Sequence, residues 1–351
     1  MSNYFENLND TIKEYFNILS DEIPEFLYEY IETPEMQKQS GISVSCGTFY
    51  SKLFNIKMWY SSLDHSVAVA LIIWHFTKDK KQTLAGLFHD IATPSFKHCI
   101  DFMNGDYEKQ ESTEELTMKI ISQSREIKNL LDRDGIKIEE VSDYHIYPIA
   151  DNDTPKLSAD RLEYTLSNGL GVRKVLWNLE EIKQIYENIE IQKNEEGIDE
   201  LGFKDKKIAE RFVESMSKLS ILYRTNETKL TMQLLADIVK KISDRNLITK
   251  QDLYNLSEKN IIEKIETCKY ENIVKCFNLW KNTTEIGESD TPVSNKYCVG
   301  INNVKVRYIM PLVKVENKYL RIDKISEKAN QDIEKCLNFK TKKYAYFNFE
   351  L

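Results

Sequence analysis

The sequence predicts a mainly α-helical protein with a small α+β segment at its C-terminal end. Helix is favoured because the 351 residues include only 11 glycines and 7 prolines, and because apolar residues, 41% of the chain, recur largely at helical intervals. A strand-like pattern after residue 280 confines the predicted β structure to the end of the chain. We expect an N-terminal helical segment at 1–45, a core at 46–180, a helical extension at 181–280 and an α+β region at 281–351.

The N-terminal 60 residues predict short helices followed by an irregular stretch. Residues 1–40 show apolar side chains at helical intervals, and Pro24 and Pro34 divide them into separate helices. Residues 41–60 are rich in β-branched and aromatic side chains around Gly47. We expect this stretch to be irregular or briefly extended and to lie over the core.

The predicted central helix spans residues 62–76. Its apolar side chains surround the helix, which indicates burial on most sides. A second helix, at about 82–91, ends near Thr93-Pro94. Because a proline is favourable at the first position of a helix, Thr93 is predicted to cap a third helix that contains His98.

Helices are also predicted at 111–131 and 157–168, with a loop that carries His145 at 143–155. Residues 173–280 read mostly as amphipathic helix, with a polar loop at 192–205. A linker-like run at 282–292 precedes strand candidates at 304–315 and 318–322, a helix at 325–337 and a last strand in Y-A-Y-F-N-F. That last strand could form an interface between subunits or pack within its own chain.

Composition and charge narrow the class of protein. No window approaches the roughly 20 apolar residues of a membrane span, and the N-terminus lacks the pattern of a signal peptide, so we expect a cytoplasmic protein without membrane contact. The six cysteines are widely spaced and are expected to be reduced thiols. A net charge of -8 makes nucleic acid an unlikely partner, but a local basic pocket for a small phosphorylated ligand is compatible with it.

Four separated side chains form a candidate metal site. His65 begins one very apolar segment, His89 and Asp90 end another, and Asp160 follows downstream. A divalent ion needs a few imidazoles and carboxylates that converge and leave one position for water or substrate. A single His-Asp pair is equally typical of a packed histidine beside a helix-terminal aspartate. The second histidine and the apolar surroundings favour metal, because burying these carboxylates without a cation is costly.

The order H, H-D, D resembles that of the HD-domain metal-dependent phosphohydrolases, and in finer detail their deoxynucleoside triphosphate triphosphohydrolase branch. In that branch the second motif reads H-D-x-G-H-x-P-F-S-H, and here it reads H-D-I-A-T-P-S-F-K-H. The first motif, R-F-E-H-S, corresponds to S-L-D-H-S, and the last, D-K/R-x-D/E-Y, to D-R-L-E-Y. The similarity covers about residues 46–170, and residues 305–311 faintly resemble a C-terminal segment of the same proteins.

The resemblance implies an HD-domain helical bundle and a role for each matching residue. His65, His89, Asp90 and Asp160 would bind one divalent ion (Mn, Fe, Mg, Co, Ni or Zn), and Asp90 and Asp160 would position its water. The other implied roles are proton transfer or phosphate contact by His98, orientation of that acid by Glu111, and phosphate or sugar contact by Arg161 and Tyr164. Lys97 is a further phosphate candidate. The implied substrate is a (deoxy)nucleoside triphosphate or related phosphate ester, and a homo-oligomer is expected.

Departures from the family pattern leave two alternatives open. The family's arginine in the first motif is Ser62 here, its middle histidine is Thr93, and its H-E pair corresponds to Gln110-Glu111. The first alternative is therefore a catalytically impaired nucleotide-binding regulatory or scaffold protein that retains the metal site. The second is an oxygenase of the dinuclear HD type, which would hold two irons. His75 is expected in the core or an interface, and His145 on the surface or near the metal.

Overall fold

The computed structural model describes residues 3–108, 116–301 and 303–350, and over these ranges it contains eighteen α-helices and seven short strands. The prediction of a mainly α-helical protein is confirmed. In the first half of the chain the helices are α1 (Asn3–Glu6), α2 (Asp10–Leu19), α3 (Glu25–Ile31), α4 (Pro34–Lys38), α5 (Ser62–Thr77), α6 (Lys80–Phe88), α7 (His98–Asn104), α8 (Thr117–Gln123), α9 (Arg125–Asp134), α10 (Ala159–Gly169) and α11 (Leu179–Glu187).

The second half of the chain adds longer helices and all of the strands. The helices are α12 (Lys206–Tyr223), α13 (Asn226–Asp244), α14 (Lys250–Asn255), α15 (Glu258–Glu266), α16 (Glu271–Asn282), α17 (Ile322–Ile325) and α18 (Glu327–Leu337). The strands are β1 (Ile189–Lys193), β2 (Asp199–Phe203), β3 (Gly287–Ser289), β4 (Tyr297–Val299), β5 (Leu312–Val315), β6 (Lys318–Arg321) and β7 (Tyr344–Phe347). No helix in the described ranges has the length and apolar character needed to cross a membrane.

Helix α5 is the centre of the fold, as its sequence predicted. Its apolar residues surround the axis and are buried from Ser62 to Ile73. It packs against α6, α10 and α2, while α10 and α11 contact α12. Because the neighbours of α5 cover it on several sides, its buried polar groups can bond only to other protein groups or to a bound ligand.

The core forms two hydrophobic clusters. The first is built on α2, α5, α6 and α10–α12 and extends to Ile309, Val313 and α18. The second joins α7 to α13, α15, α16 and the last strand, β7. Helix α7 therefore follows α6 along the chain but packs on α13, and the loop between α6 and α7 connects the two clusters.

The strands form two small sheets, which include segments that the sequence predicted as loop or linker. The first has the order β1-β2-β5-β6, with β2 and β5 parallel, and the second is an antiparallel sheet ordered β3-β7-β4. The prediction of a polar loop at 192–205 is wrong, because β1 and β2 form a hairpin there. The Asn194 side chain accepts the N–H groups of Glu196 and Ile198, each at 3.0 Å, and Gly197 supplies a positive φ of 75°. The predicted linker at 282–292 also contains β3.

The predicted strand at 304–315 pairs in a sheet only from Leu312 onward. Pro311 has no N–H to donate to a ladder, and the residues before it bond to other parts of the chain. The Lys305 N–H donates to the Tyr107 carbonyl at 3.0 Å, and the Met310 N–H donates to the Pro155 carbonyl at 2.8 Å. This segment therefore runs along the cavity described below.

Candidate metal centre

Helix α5 holds His65 in its first turn. The Ser61 hydroxyl accepts the Asp64 N–H at 3.0 Å, and the Asp64 carboxylate accepts the Ser61 N–H at 2.7 Å. This reciprocal cap fixes the start of the helix. Tyr4 donates its hydroxyl to the same carboxylate at 2.7 Å. His65, which is 6% exposed, therefore lies on a helix turn that hydrogen bonds hold in place.

His89 and Asp90 follow the end of α6, and Asp160 lies in the first turn of α10. The His89 Nδ1–H donates to the Gly86 carbonyl at 2.7 Å, which directs Nε2 away from the helix. Ser158 caps helix α10, and its hydroxyl accepts the Arg161 N–H at 3.2 Å. Since α6 and α10 both pack on α5, the three chain segments meet at one place.

The side chains expected from sequence converge there. The Nε2 atoms of His65 and His89 are 3.1 Å apart, and Asp160 Oδ1 lies 3.2 Å from the first and 3.9 Å from the second. Asp90 Oδ2 lies 3.9 Å from His65 Nε2 and 3.8 Å from His89 Nε2. His65, His89 and Asp160 form a group of side chains that could hold a metal ion.

The donor set fits a cation. Both Nδ1 atoms face acceptors, Glu163 for His65 and the Gly86 carbonyl for His89. Each imidazole therefore directs an Nε2 lone pair towards the other and towards an anionic oxygen, which is unfavourable without a positive charge between them. Burial lowers the pKa of His65, but Glu163 and Asp160 outweigh it and raise the pKa to about 10. When no metal is bound, a proton on His65 thus supplies the positive charge between these groups.

Glu163 orients His65 from behind, a role that the sequence reasoning missed. Its fully buried carboxylate contacts His65 Nδ1 and accepts hydroxyls from Tyr60 at 2.6 Å and Tyr15 at 3.3 Å. Such a carboxylate fixes the ring and increases its basicity as a ligand. One signal was available, because Glu163 lies three residues after Asp160 and so on the same face of α10.

Asp90 is held by three neighbours. Its Oδ2 accepts the Ser62 hydroxyl at 3.2 Å and contacts the Lys97 ammonium, while its Oδ1 accepts the Thr93 hydroxyl at 3.0 Å. Burial raises the pKa of Asp90, but Lys97 and both histidines hold it well below its usual value. The prediction that Thr93 caps the next helix is wrong, because α7 begins only at His98 and the Thr93 hydroxyl bonds Asp90 instead.

The backbone between α6 and α7 is strained. Phe96 and Lys97 have φ angles of 67° and 45°, in a region that side chains with a Cβ rarely adopt. The Ser95 N–H donates to the Leu253 carbonyl at 2.8 Å, and the Phe96 N–H donates to Glu258 Oε1 at 3.2 Å. The α14–α15 region therefore holds the loop in the conformation that brings the Lys97 ammonium to the centre.

His98 begins α7 and lies on the cavity wall. Its Nδ1 is 2.8 Å from Asp101 Oδ2. Burial lowers the pKa of His98, while Asp101 opposes that effect. The predicted partner Glu111, like Gln110, lies outside the described residues.

Arg161 and Tyr164 also line the cavity. Arg161 Nη1 donates to Asn152 Oδ1 at 2.6 Å and lies 3.3 Å from Asp151 Oδ1, so protein acceptors already engage this guanidinium. Burial raises the pKa of Tyr164 to about 12, although Arg307 and Arg161 oppose the rise.

The cavity has a volume of about 750 Å³, within the range of small-molecule sites. All four candidate ligands line it, together with Lys97, His98, Arg161 and Tyr164. Sequence reasoning missed the roles of Arg173 and Tyr223 in its wall. His145 is half-exposed at the rim, where its Nε2 is 3.5 Å from Asp151 Oδ2. His75 lies outside the cavity, with its ring 5.4 Å from that of Tyr186.

Known proteins similar in sequence to this chain include one uncharacterised protein and one metal-dependent phosphohydrolase. The chain is 24% identical over 307 residues to YdhJ, an uncharacterised protein of Bacillus subtilis; the match covers 87% of the chain and 89% of YdhJ. It is 23% identical over 154 residues to the metal-dependent phosphohydrolase cns2 of Cordyceps militaris, and this match covers 42% of each protein. No protein-family model matches the chain.

Solved structures share the fold over nearly the whole chain. A hypothetical protein from Aquifex aeolicus superposes with a TM-score of 0.62 at 16% identity, covering 93% of both chains. A phosphohydrolase from Bacteroides thetaiotaomicron superposes with a TM-score of 0.61 at 13% identity, covering 93% of this chain and 96% of its own. At these identities the likeness concerns the fold alone.

Proposed function

We propose that the protein is a metal-dependent phosphohydrolase that acts on a nucleotide, a (deoxy)nucleoside triphosphate or a related phosphate ester. The observation that supports this best is the meeting of two Nε2 lone pairs and the Asp160 carboxylate beside a 750 Å³ cavity. The two similar proteins named as phosphohydrolases support the hydrolase class, and the nucleotide rests on the motif resemblance alone.

In this proposal His65, His89, Asp90 and Asp160 hold one divalent ion. When bound, the ion supplies a Lewis acid and a water acidic enough to act as a nucleophile near neutral pH. Glu163 would fix the His65 ring, and Asp90 and Asp160 would position the water that the ion supplies. Lys97 contributes positive charge for the substrate phosphate.

His98 serves in this proposal as the acid for the leaving group. Asp101 orients its ring from the Nδ1 side, and the ring borders the cavity. Only the imidazolium can deliver a proton from Nε2; burial has the larger effect and lowers the pKa of His98, while Asp101 favours the charged form. Arg161 and Tyr164 would contact phosphate or sugar on the same wall.

The experiment is an activity screen of the purified, metal-free chain. Mn, Fe, Mg, Co, Ni and Zn are each added back with a panel of nucleoside mono-, di- and triphosphates, and the products are identified. We expect turnover with at least one metal and its loss, by 100-fold or more, in His65→Ala. His75→Ala is the matched control, because His75 lies on the same helix but outside the cavity. An inactive wild type that binds metal, or an active His65→Ala variant, would overturn the proposal.

A second candidate function is a nucleotide-binding regulatory or scaffold protein without turnover. The contact between Lys97 and Asp90 favours it, because a lysine already neutralises one expected metal ligand. In the same screen this function predicts metal and nucleotide binding by calorimetry without product. Metal analysis tests the oxygenase alternative, which requires two irons per chain instead of one ion.

A further inference from the structure

Arg173 lines the same cavity as the metal centre but is held by different residues. Its Nη1 donates to the Ser45 carbonyl at 2.8 Å and to the Thr48 hydroxyl at 2.5 Å. Its guanidinium carbon lies 5.7 Å from the centre of the Phe54 ring and 5.9 Å from that of the Tyr223 ring. Two hydrogen bonds and two rings therefore fix the plane of the guanidinium.

This guanidinium has no carboxylate partner among the described residues, and its only hydrogen bonds there are those of Nη1. Three other cations of the cavity wall are paired with carboxylates: Lys97 with Asp90, Lys156 with Glu196 and Arg161 with Asp151. The unpaired Nε and Nη2 groups of Arg173 form a planar fork that matches two oxygens of one anion.

A second polar group beside Arg173 also lacks a partner. The Tyr223 hydroxyl is buried and makes no hydrogen bond within the described part of the chain. A buried donor left without an acceptor costs about 1–3 kcal/mol. Burial raises the pKa of Tyr223, so the group keeps its proton and remains a donor. An anion bound beside Arg173 would offer this hydroxyl an acceptor.

The cavity is large enough for a ligand that reaches from Arg173 to the metal centre. Its volume of about 750 Å³ greatly exceeds that of one phosphate, and the residues that bond or stack on Arg173 (Ser45, Thr48, Phe54 and Tyr223) differ from those that bond the metal-centre side chains. The same wall carries the mostly apolar side chains of Cys46, Phe102, Met232 and Val304. Such a surface suits the uncharged middle of a ligand that has an anionic group at each end.

We propose that Arg173, with Tyr223 beside it, binds a second phosphate group of the substrate whose first phosphate lies at the metal centre. The substrate class is thus a compact molecule with two separated phosphates, such as a nucleoside bisphosphate. This inference rests on the proposed function for the first phosphate, but the Arg173 site itself binds anions whether or not the metal centre is active.

The first experiment titrates the metal-free full chain with inorganic phosphate by calorimetry. We expect Arg173→Gln to weaken phosphate binding at least tenfold and Arg173→Lys to weaken it less, because lysine keeps the charge but loses the fork. Arg245→Gln is the matched control, since Arg245 also lies over a tyrosine ring, 4.9 Å from the centre of Tyr270, but outside the cavity. Lys97→Met in the same titration shows how much of the measured phosphate binding takes place beside the metal centre.

Equal phosphate affinities for Arg173→Gln and Arg245→Gln would overturn the proposal. So would tighter binding of acetate than of phosphate, which would assign the site to a carboxylate. If Arg173→Gln does not fold by circular dichroism, wild-type affinity in Arg173→Lys overturns the proposal and weakened affinity supports it. Because this titration needs neither metal nor turnover, its outcome is independent of whether the chain hydrolyses nucleotides.

A second experiment uses the active holoenzyme. For wild type we expect a nucleoside bisphosphate to have a KM at least tenfold lower than the matching monophosphate. Arg173→Gln should remove most of this difference with little change in kcat, because the lost contact acts on both ground and transition states. A KM ratio that stays the same in Arg173→Gln would contradict the assignment of the second phosphate to this site.

Discussion

The Lys97 ammonium contacts Oδ2 of Asp90, the same carboxylate oxygen that lies 3.8 Å from His89 Nε2. A divalent ion between the two imidazoles would use this oxygen as a ligand, so Lys97 and the ion compete for the same oxygen atom. Burial lowers the pKa of Lys97, but Asp90 more than offsets it and keeps the ammonium charged.

Replacing Lys97 with methionine should therefore strengthen metal binding. We expect the Kd for Mn²⁺, measured by calorimetry, to fall about tenfold, or about 1.4 kcal/mol, because Asp90 is released from its competing cation. Lys156→Met removes another cation of the same cavity wall and serves as the control, since Lys156 pairs with Glu196. An unchanged or weaker Mn²⁺ affinity in Lys97→Met would contradict competition for Asp90.

Replacing Glu163 with glutamine should weaken metal binding while leaving all four proposed ligands in place. Loss of a carboxylate behind a metal-binding histidine typically costs 10- to 100-fold in affinity. The expected readout is a higher Kd for Mn²⁺ by calorimetry, with a smaller effect for Tyr15→Phe, whose hydroxyl is 3.3 Å from the same carboxylate. Wild-type affinity in Glu163→Gln would mean that His65 needs no carboxylate support.

The buried carboxyl of Glu258 should make stability depend on pH. Burial raises its pKa from 4.5 to about 8, against hydrogen bonds from Ser43, Tyr50 and Phe96 and the charge of Lys97. Between these values the folded state holds a proton that the unfolded state has released. The contribution of Glu258 to stability is thus complete below pH 4.5 and is lost as pH rises towards 8.

Urea unfolding of wild type and Glu258→Gln tests this linkage. From about pH 5.5 to 7, the free energy of unfolding of wild type should fall relative to the variant by up to about 1.4 kcal/mol per pH unit. Taking the difference between the two proteins removes the other titrating groups that they share. A difference that is constant across this range would show that Glu258 has an ordinary pKa in the folded protein.

Adding a methyl group at Gly169 should destabilise the protein. A Cβ at this position would lie 2.5–2.7 Å from three atoms of the Trp177 indole, whose N–H is fixed by the Leu166 carbonyl at 2.9 Å. We expect Gly169→Ala to cost about 1–3 kcal/mol by urea unfolding. Trp177→Leu in the same chain should recover part of that loss in a double-mutant cycle. Additive effects of the two changes would mean that the indole does not resist the methyl group.

The elements that sequence predicted well depend on local patterns. Helix α5 was identifiable because apolar residues occupy all its sides, and motif spacing brought His65, His89 and Asp160 together correctly. The β1–β2 hairpin was missed because its turn contains polar residues such as Glu195 and Glu196, which are typical of a loop. The pairing of β2 with β5 also depends on residues more than a hundred positions away.

The missed parts of the site depend on contacts distant in sequence. Glu258 accepts the Phe96 N–H across 162 positions, and nothing in the local sequence indicates a positive φ at Phe96 or Lys97. The reach of Lys97 to Asp90 follows from that backbone conformation. Arg173 became recognisable only when its surroundings were known, because a lone arginine after a helix is usually a solvated charge.

The bonds from Ser95 to Leu253 and from Phe96 to Glu258 have one more consequence. They tie the loop before α7 to a surface hairpin of helices that lines no part of the cavity. An outward movement of α14 and α15 would release the strained backbone at Phe96 and Lys97 and would move the Lys97 ammonium away from Asp90. The α14–α15 region is thus linked through this loop to the charge balance of the candidate metal centre.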